Sequence, residues 1–305
     1  MQKKKQRSYA MTEISLDQVY TIVDSFFKRF EGNPVVEYLA SGYYGKRGFR
    51  RRLSVRDIMA LNLYRFFAQI SNLKAFHRFV RQFMADRFPD FPNYENFLKA
   101  TNKSLPIMVL FVNSILAKNR EKCGGRRVHF VDSTPVEVCE NNKISRHKVA
   151  KGFASRGKST KGWFFGFKLH GACTADMVVE SLVFTTGSVH DSQVAGKVTK
   201  DILGKAFADA GYQLKPDILA KMADGGVFMN NATRKNMKRL ISKEQFDCIE
   251  KRNIIETVWS VMKGSFCLVY TRARSLKGMF RHFFYSIAAF LISHSDFNQI
   301  RFVAG

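Results

Sequence analysis

The feature that most restricts the fold of this chain is a change of hydrophobic periodicity at Gly124 and Gly125. Before these glycines, apolar residues recur at helical spacing in Val19 to Phe30, Val55 to Phe67 and Ile107 to Leu116. After them, short β-rich runs come first and then alternate with helical segments. We therefore expect an α/β chain, with an all-helical N-terminal domain over residues 1–122 and a mixed sheet flanked by helices over residues 123–305.

Local signals in the first half support helices and their ends. Ser54 followed by Asp57 has the form of a capping box before an apolar run. The stretch FPDFPNYENF predicts a turn that leads into a further helix, because its prolines interrupt the helical pattern. The loop GYYGKRGFRRR, residues 42–52, brings together five cations and two tyrosines. This composition suits contact with phosphate beside a DNA-binding helix, and it equally suits a solvated basic loop.

The charge of the chain points to a polyanionic partner. Fifty Lys and Arg against 25 Asp and Glu give a formal net charge of +25, with a pI near 10. Nucleic acid is the leading candidate. The five cysteines show no zinc-site spacing, which favours free thiols in a reducing compartment. The basic N-terminus lacks the apolar run of a secretory signal, and the apolar stretch at 283–292 is too short to cross a bilayer and predicts a buried helix.

Two aspartates follow strand-like runs at corresponding places. Val128 to Val131 leads into Asp132, with a second strand-like run from Val136 to Cys139, and Phe207 with Ala208 leads into Asp209. A carboxylate at the tip of a buried strand is costly unless something pairs with it, and a metal ion is one such partner. The alternative for Asp132 is a cap or turn residue.

Residues 243–263, KEQFDCIEKRNIIETVWSVMK, predict one amphipathic helix. At 3.6 residues per turn, Arg252, Glu256 and Lys263 lie within about 40° of one another. A carboxylate between two cations on one face can hold a metal while the cations grip phosphate. Ordinary helical ion pairs on a solvated face are the alternative.

The stretch from Lys143 to Lys168 carries eight Lys and Arg and no Asp or Glu. Its glycines and cations leave little to pack within the stretch, so we expect it to lie on phosphates. Trp163 either stacks on a base or belongs to the core. A β-hairpin with a turn near Thr174 to Asp176 follows. The candidate DNA-binding residues are Lys143, Arg146, Lys148, Lys151, Arg156, Lys158, Lys161, Trp163, Arg252 and Lys263.

Five motifs in order give the chain a family resemblance. They are VDST with Asp132, FGFKLH with His170, TTGSVHD with His190 and Asp191, FADAGY with Asp209, and RNIIETVWSVMK with Glu256. Together they resemble insertion-sequence DDE transposases with an RNase H-like core. The stretch RHKVAKGFASRGKSTKGWFFGFKLH looks most like the nine-eighty-two group of bacterial insertion sequences.

The resemblance implies that Asp132, Asp209 and Glu256 form a catalytic triad that holds two Mg²⁺ or Mn²⁺ ions. Asp132 would bridge both ions, and Arg252 and Lys263 would hold the flanking phosphate. Ile249 stands where such transposases carry a tyrosine, which affects only a contact by that tyrosine. His170, His190 and Asp191 are auxiliary candidates.

The same resemblance implies the reaction and the partners. The enzyme would cleave transposon ends and transfer the freed 3′-hydroxyl strand to target DNA. Its partners would be double-stranded DNA, as terminal inverted repeats and as target, and a second copy in a homodimer. We expect the 1–122 domain to bind DNA, no membrane partner, and a place in the bacterial cytoplasm with the nucleoid. Two alternatives remain: a stand-alone metal-dependent nuclease, and a catalytically silent DNA-binding protein derived from a transposase.

Overall fold

A computed structural model describes residues 14–44, 52–124, 127–209, 211–231, 242–269 and 271–294. These residues fall into two compact units, one ending at Ser104 and the other running from Leu105 to His294. Most of the basic loop at 42–52 and the basic segment at 234–243 lie outside the described residues. Over the described residues, no single helix is long and apolar enough to span a membrane, and only the consecutive pair 94–103 and 105–123 passes that test together.

The first unit is helical, as the sequence predicts. Its helices are α1 (Leu16–Arg29), α2 (Pro34–Tyr44), α3 (Val55–Phe67), α4 (Leu73–Phe83) and α5 (Tyr94–Lys103). The capping box of Ser54 and Asp57 is confirmed at the start of α3. Asp57 also accepts a hydrogen bond of 2.8 Å from the Tyr20 hydroxyl of α1, so one carboxylate caps α3 and ties it to α1.

The second unit contains a mixed sheet and the remaining helices. Its elements are α6 (Leu105–Cys123), β1 (Arg127–Cys139), a 3₁₀ helix (Asn141–Arg146), β2 (Ser155–Ser159), β3 (Gly162–Cys173), β4 (Val179–Thr186), α7 (Asp191–Val198), β5 (Gly204–Ala208), α8 (Pro216–Asp224), β6 (Val227–Asn231), α9 (Lys243–Lys251), α10 (Asn253–Gly264) and α11 (Leu276–Ser293). The predicted hairpin is confirmed as β3 and β4, with its turn beginning at Thr174.

Within the described residues the sheet runs β4, β3, β1, β5, β6, and β2 pairs with the first part of β3. The pairs β1–β3, β3–β4 and β2–β3 are antiparallel, whereas β1–β5 and β5–β6 are parallel. β2 and β4 meet end to end beside β3, where Gly157 approaches Gly187 so closely that an added Cβ would lie 2.2 Å from the Gly187 oxygen. Strands β2 and β4 therefore cover successive parts of the same edge of β3.

Alternation along the strands buries both faces of the sheet. Val131 and Ala208 face a core that includes Val194 of α7 and Met222 of α8. Phe130 and Phe207 are paired aromatic residues with ring centroids 6.5 Å apart. The long helix α11 covers aromatic side chains of β3 and β4, with Phe283 against Phe167 and Phe184. Because successive strand residues face opposite sides, the residue after Val131 belongs to the Phe130 side.

Two predicted elements differ from the structure. The runs at 128–131 and 136–139 form one strand, because β3 pairs with β1 continuously from Phe130 to Glu137. Asp132 is thus inside a strand and not at its tip. The predicted helix at 243–263 divides into α9 and α10 at Arg252, where the hydrogen bonds Arg252 N to Ile249 O and Ile255 N to Arg252 O tighten one turn.

Helix α6 goes with the sheet, since Asn119 and Arg120 hydrogen-bond the carbonyl oxygens of Val179 and Glu180 in β4. The division of the chain into functional domains at residue 123 stays a prediction.

Candidate active site

Strand pairing places Asp132 and Asp209 next to each other. The last parallel pair of β1 and β5 is Val131 with Ala208, and each aspartate is the following residue of its chain segment. Neighbouring strands lie about 5 Å apart, so the two carboxylates leave the sheet at adjacent points. Asp132 is partly buried, and Asp209 is exposed.

The surroundings of Asp132 disfavour its negative charge. Burial is the largest cause that raises its pKa to about 7, and the charges of Asp191 and Asp209 act in the same direction. A hydrogen bond from the Ser133 backbone N–H and the charge of Arg252 oppose the shift without overcoming it. A positive charge bound beside Asp132 and Asp209 would therefore relieve an electrostatic cost that the fold itself creates.

Helix α10 is held over Asp132 by a close contact with β3. Gly171 is the β3 residue paired with Asp132. A Cβ at Gly171 would lie 2.8 Å from the Trp259 ring, so the absence of a side chain lets the buried indole pack on the strand. Trp259 lies three residues after Glu256, so this packing fixes the segment of α10 that carries Glu256.

Glu256 contacts a cation in this structure. Its Oε1 lies 3.4 Å from Nη2 of Arg252, one helical turn earlier, and its side chain is 55% exposed. The Arg252 guanidinium also acts electrostatically on Asp132. Lys263 lies farther along α10, and burial together with the nearby charge of Lys161 lowers its pKa to about 8, against the opposing effect of Glu137 and Asp132.

The structure brings the predicted triad together in part. Asp132 and Asp209 are neighbours, and Arg252 links Asp132 electrostatically to Glu256. Across the described ranges, no three His, Cys, Asp or Glu side chains lie close enough together to hold a metal ion. Two carboxylates with a third on the covering helix are nonetheless oxygen ligands of the type that Mg²⁺ and Mn²⁺ prefer.

Asp191, an auxiliary candidate, is tied into the sheet. Its Oδ1 accepts hydrogen bonds from the Ser133 hydroxyl at 2.9 Å and from Nζ of Lys168 at 3.1 Å. Nδ1 of His170 lies 3.6 Å from the same oxygen. Burial lowers the pKa of His170, the charge of Lys168 adds to this, and the charge of Asp191 opposes it. His190 has a different task, because its Nδ1 caps α7 by accepting from the Ser192 N–H.

Three side chains of this network did not stand out in the sequence. They are Ser133 and Lys168, which hydrogen-bond Asp191, and Tyr212. Burial raises the pKa of Tyr212, and the nearby charges of Asp191, Asp132 and Asp209 raise it further. The i, i+2 spacing of Lys168 and His170 was the available signal, because it puts both on one face of β3. Nothing in the chain order indicated that Asp191 would meet that face.

The basic stretch forms an exposed surface in the same unit, and its Lys161 lies near Lys263 of α10. All eight of its candidate DNA-binding residues are exposed: Lys143, Arg146, Lys148, Lys151, Arg156, Lys158, Lys161 and Trp163. The expectation that the stretch would have little to pack within itself is wrong in part, because β2 pairs with the first part of β3 from Ser155–Gly166 to Ser159–Gly162.

Trp163 is not part of the core. It is 61% exposed. Nζ of Lys158, its partner on the neighbouring strand β2, lies 5.9 Å from its ring centroid. Arg156 shares the face of Lys158 by strand alternation, while Gly157 between them is buried. An exposed indole can stack on a nucleic-acid base, and the cations beside it can bind the phosphates.

Comparison with known proteins finds a family match that covers most of the second unit. Residues 122–276, just over half of the 305-residue chain, match the family described as transposase DDE domain. No individual curated protein matches the chain. The matched range begins at the end of α6 and includes the whole sheet, both aspartates and α10. Proteins of this class generally use divalent metals. This chain belongs to the transposase DDE-domain family.

Proposed function

We propose that the protein is an insertion-sequence transposase that cleaves the ends of its element and joins the freed 3′-hydroxyl to target DNA. The observation that supports this most is that Asp132 and Asp209 directly follow the last parallel pair of β1 and β5, in the unit whose helix α10 carries Glu256. The strand order, with two antiparallel pairs followed by two parallel pairs, fits an RNase H-like core. The motif order fits the nine-eighty-two group.

Asp132, Asp209 and Glu256 would hold two divalent ions, Mg²⁺ or Mn²⁺. When bound, these ions supply an activated nucleophile at neutral pH and neutralise charge on the attacked phosphate. The raised pKa of Asp132 fits this role, because it reflects negative charge that the protein leaves poorly compensated. Glu256 would exchange its contact with Arg252 for the metal. The pair is long, at 3.4 Å, and its carboxylate is exposed, so it is worth about 1 kcal/mol and little opposes the exchange.

The cations at the two ends of α10, Arg252 just before it and Lys263 in its last turn, would then position the DNA strand. Arg252, freed from Glu256, is well placed to donate to a phosphate beside Asp132. Lys263 lies at the far end of α10, near Lys161 of the turn between β2 and β3. These side chains hold the backbone in place for in-line attack, which is the main contribution that a protein makes to phosphoryl transfer.

The exposed basic stretch would carry the flanking duplex. Its cations and Trp163 have the chemistry to bind terminal inverted repeats and target DNA. We also propose a homodimer as the working complex, the bacterial cytoplasm as its location and no membrane partner. The nuclease and the silent DNA-binding protein remain as alternatives, and no particular observation favours either.

The test uses Glu256→Gln with Glu250→Gln as its matched control, since both remove one exposed negative charge from neighbouring helices. The substrate is a duplex that carries the DNA adjoining the coding sequence, supplied with Mg²⁺. We expect Glu256→Gln to slow cleavage by at least about 100-fold. Loss of a residue that only hydrogen-bonds a metal ligand usually costs less than this. DNA affinity should stay equal or become tighter, because a negative charge next to phosphate is removed.

Asp132→Asn and Asp209→Asn should behave like Glu256→Gln. Unchanged cleavage in Glu256→Gln would remove Glu256 from the triad. Cleavage without end joining in the unaltered chain would favour the nuclease. Tight, salt-sensitive binding without any metal-dependent cleavage would favour the silent DNA-binding protein.

A further inference from the structure

Hydrogen bonds close the connection between α3 and α4. Helix α3 ends with Gln69 in the left-handed region at φ 56°, and the Gln69 and Ile70 N–H groups donate to the carbonyl oxygens of Phe66 and Arg65. These two bonds form the Schellman arrangement that closes a helix. The buried Arg65 guanidinium then donates to the Ser71 carbonyl at 2.5 Å. Asn72 caps α4 through its side chain.

One side of α4 is fixed by packing. Leu73, Phe76, His77 and Val80 are buried. His77 Nε2 lies 2.9 Å from the Pro92 carbonyl oxygen, and its ring contacts the aromatic residues around the start of α5. A helix held by its apolar stripe and by a structured turn presents its other face at a defined angle.

The other face of α4 is cationic and unpaired. Lys74, Arg78 and Arg81 are exposed, and α4 contains no Asp or Glu. None of the three cations forms an ion pair or a hydrogen bond within the described part of the chain. They lie within about 60° of one another and span about 10 Å along the axis. Gln82, also exposed, lies beside them.

We propose that this α4 face, formed by Lys74, Arg78, Arg81 and Gln82, binds duplex DNA. Helix α4 follows α3 after a closed turn, and in helix–turn–helix proteins the exposed face of the second helix enters the major groove. The groove is about 12 Å wide and accepts an α-helix, and its phosphate walls complement three unpaired cations. Gln82 supplies an amide that can reach a base edge. The choice of DNA rests on the proposed function.

The test compares two triple variants of the full chain that have the same net charge. One is Lys74→Gln, Arg78→Gln and Arg81→Gln. The control is Lys28→Gln, Lys99→Gln and Lys103→Gln, three exposed cations on α1 and α5 of the same unit. Binding is measured over a series of salt concentrations with EDTA present, so that it does not depend on cleavage. The probes are a random duplex and the duplex adjoining the coding sequence.

We expect the α4 variant to lose at least about tenfold in affinity and to reduce the salt slope by about 2 to 3, as for three lost phosphate contacts. The control should change the slope by less than about 1. Both variants should keep the thermal midpoint of the unaltered chain, since the substituted side chains are exposed. Equal losses in the two variants, or no loss in the α4 variant, would overturn the proposal. Cleavage by an α4 variant with unchanged binding would leave the transposase function standing while the α4 proposal fails.

Discussion

At the scale of single residues, the site concentrates negative charge and then compensates each carboxylate differently. Asp191 pairs with Lys168 and accepts a hydrogen bond from the Ser133 hydroxyl, Glu256 pairs with Arg252, and Asp132 is left with a raised pKa. The carboxylate with the least compensation is therefore the one best suited to receive a cation. The sequence predicts Asp132, Asp209 and Glu256 as site residues, and their role in catalysis stays a prediction. Their different partners were not predictable, because several of those partners come from distant segments.

A second buried charge pair lies away from the site and predicts how stability depends on pH. Nδ1 of His129 lies 2.6 Å from Oε2 of Glu180, and its Nε2 lies 2.8 Å from the Leu203 carbonyl. With both ring nitrogens facing oxygen acceptors, the ring is best accommodated as the cation. Burial alone would lower the pKa of His129, but the hydrogen bond and charge of Glu180 outweigh burial and raise it.

We therefore expect stability to fall as pH rises. The folded pKa of His129 is higher than the unfolded value of about 6.5, so the folded state binds more protons between the two values. The stabilisation is fully present below about pH 6.5 and is lost as pH rises through the folded pKa. Urea unfolding from pH 6 to 9 measures this. His129→Gln should show a flatter profile, and profiles of equal slope would contradict the expectation.

At the scale of elements, α10 owes its position to Gly171. We expect Gly171→Ala to cost about 1–3 kcal/mol, because the new methyl group overpacks against Trp259. Cleavage should fall further than this loss of stability explains, since α10 carries Glu256. Denaturant unfolding and cleavage rates measure the two effects.

The control for this prediction is Gly196→Ala in α7, where an added Cβ meets nothing within 4 Å. It should be neutral or stabilising by up to about 1 kcal/mol. Trp259→Phe should reduce the cost of Gly171→Ala, since it removes the crowding ring. The Trp259 N–H is buried without a hydrogen-bond partner in the described structure, so this substitution loses no such bond. An equal cost of Gly171→Ala in both backgrounds would argue against the contact.

Elements with a local cause were predictable from the sequence. The capping box at Ser54, the β3–β4 turn and the strand before Asp209 depend on neighbouring residues, and all three are present. The continuity of β1 was missed because it depends on pairing with β3, more than 30 residues later. The turn at Arg252 was missed because apolar spacing continues unchanged through it. In β1, long-range pairing overrides the local signals.

At the scale of the whole molecule, net charge alone does not say where DNA lies. We expect Lys148→Gln, Lys151→Gln and Lys158→Gln together to lower affinity for duplex DNA and to reduce the salt slope by about 2 to 3. The control is Lys197→Gln, Lys200→Gln and Lys221→Gln, exposed cations on or next to α7 and α8. Filter binding across salt concentrations measures both. Chemistry on bound DNA should be unaffected, and an unchanged slope would place the basic stretch away from phosphates.

Strand β3 joins two parts of the proposed DNA surface. Trp163 lies near its start, and Gly171, the partner of Asp132, lies near its end. Eight residue steps at about 3.3 Å correspond to about 26 Å, or about eight base pairs of B-form DNA lying along the strand. Both points belong to one extended backbone segment, so their separation is set covalently. For the proposed transposase, an element end with one base pair inserted inside that interval would present the wrong phosphate for cleavage.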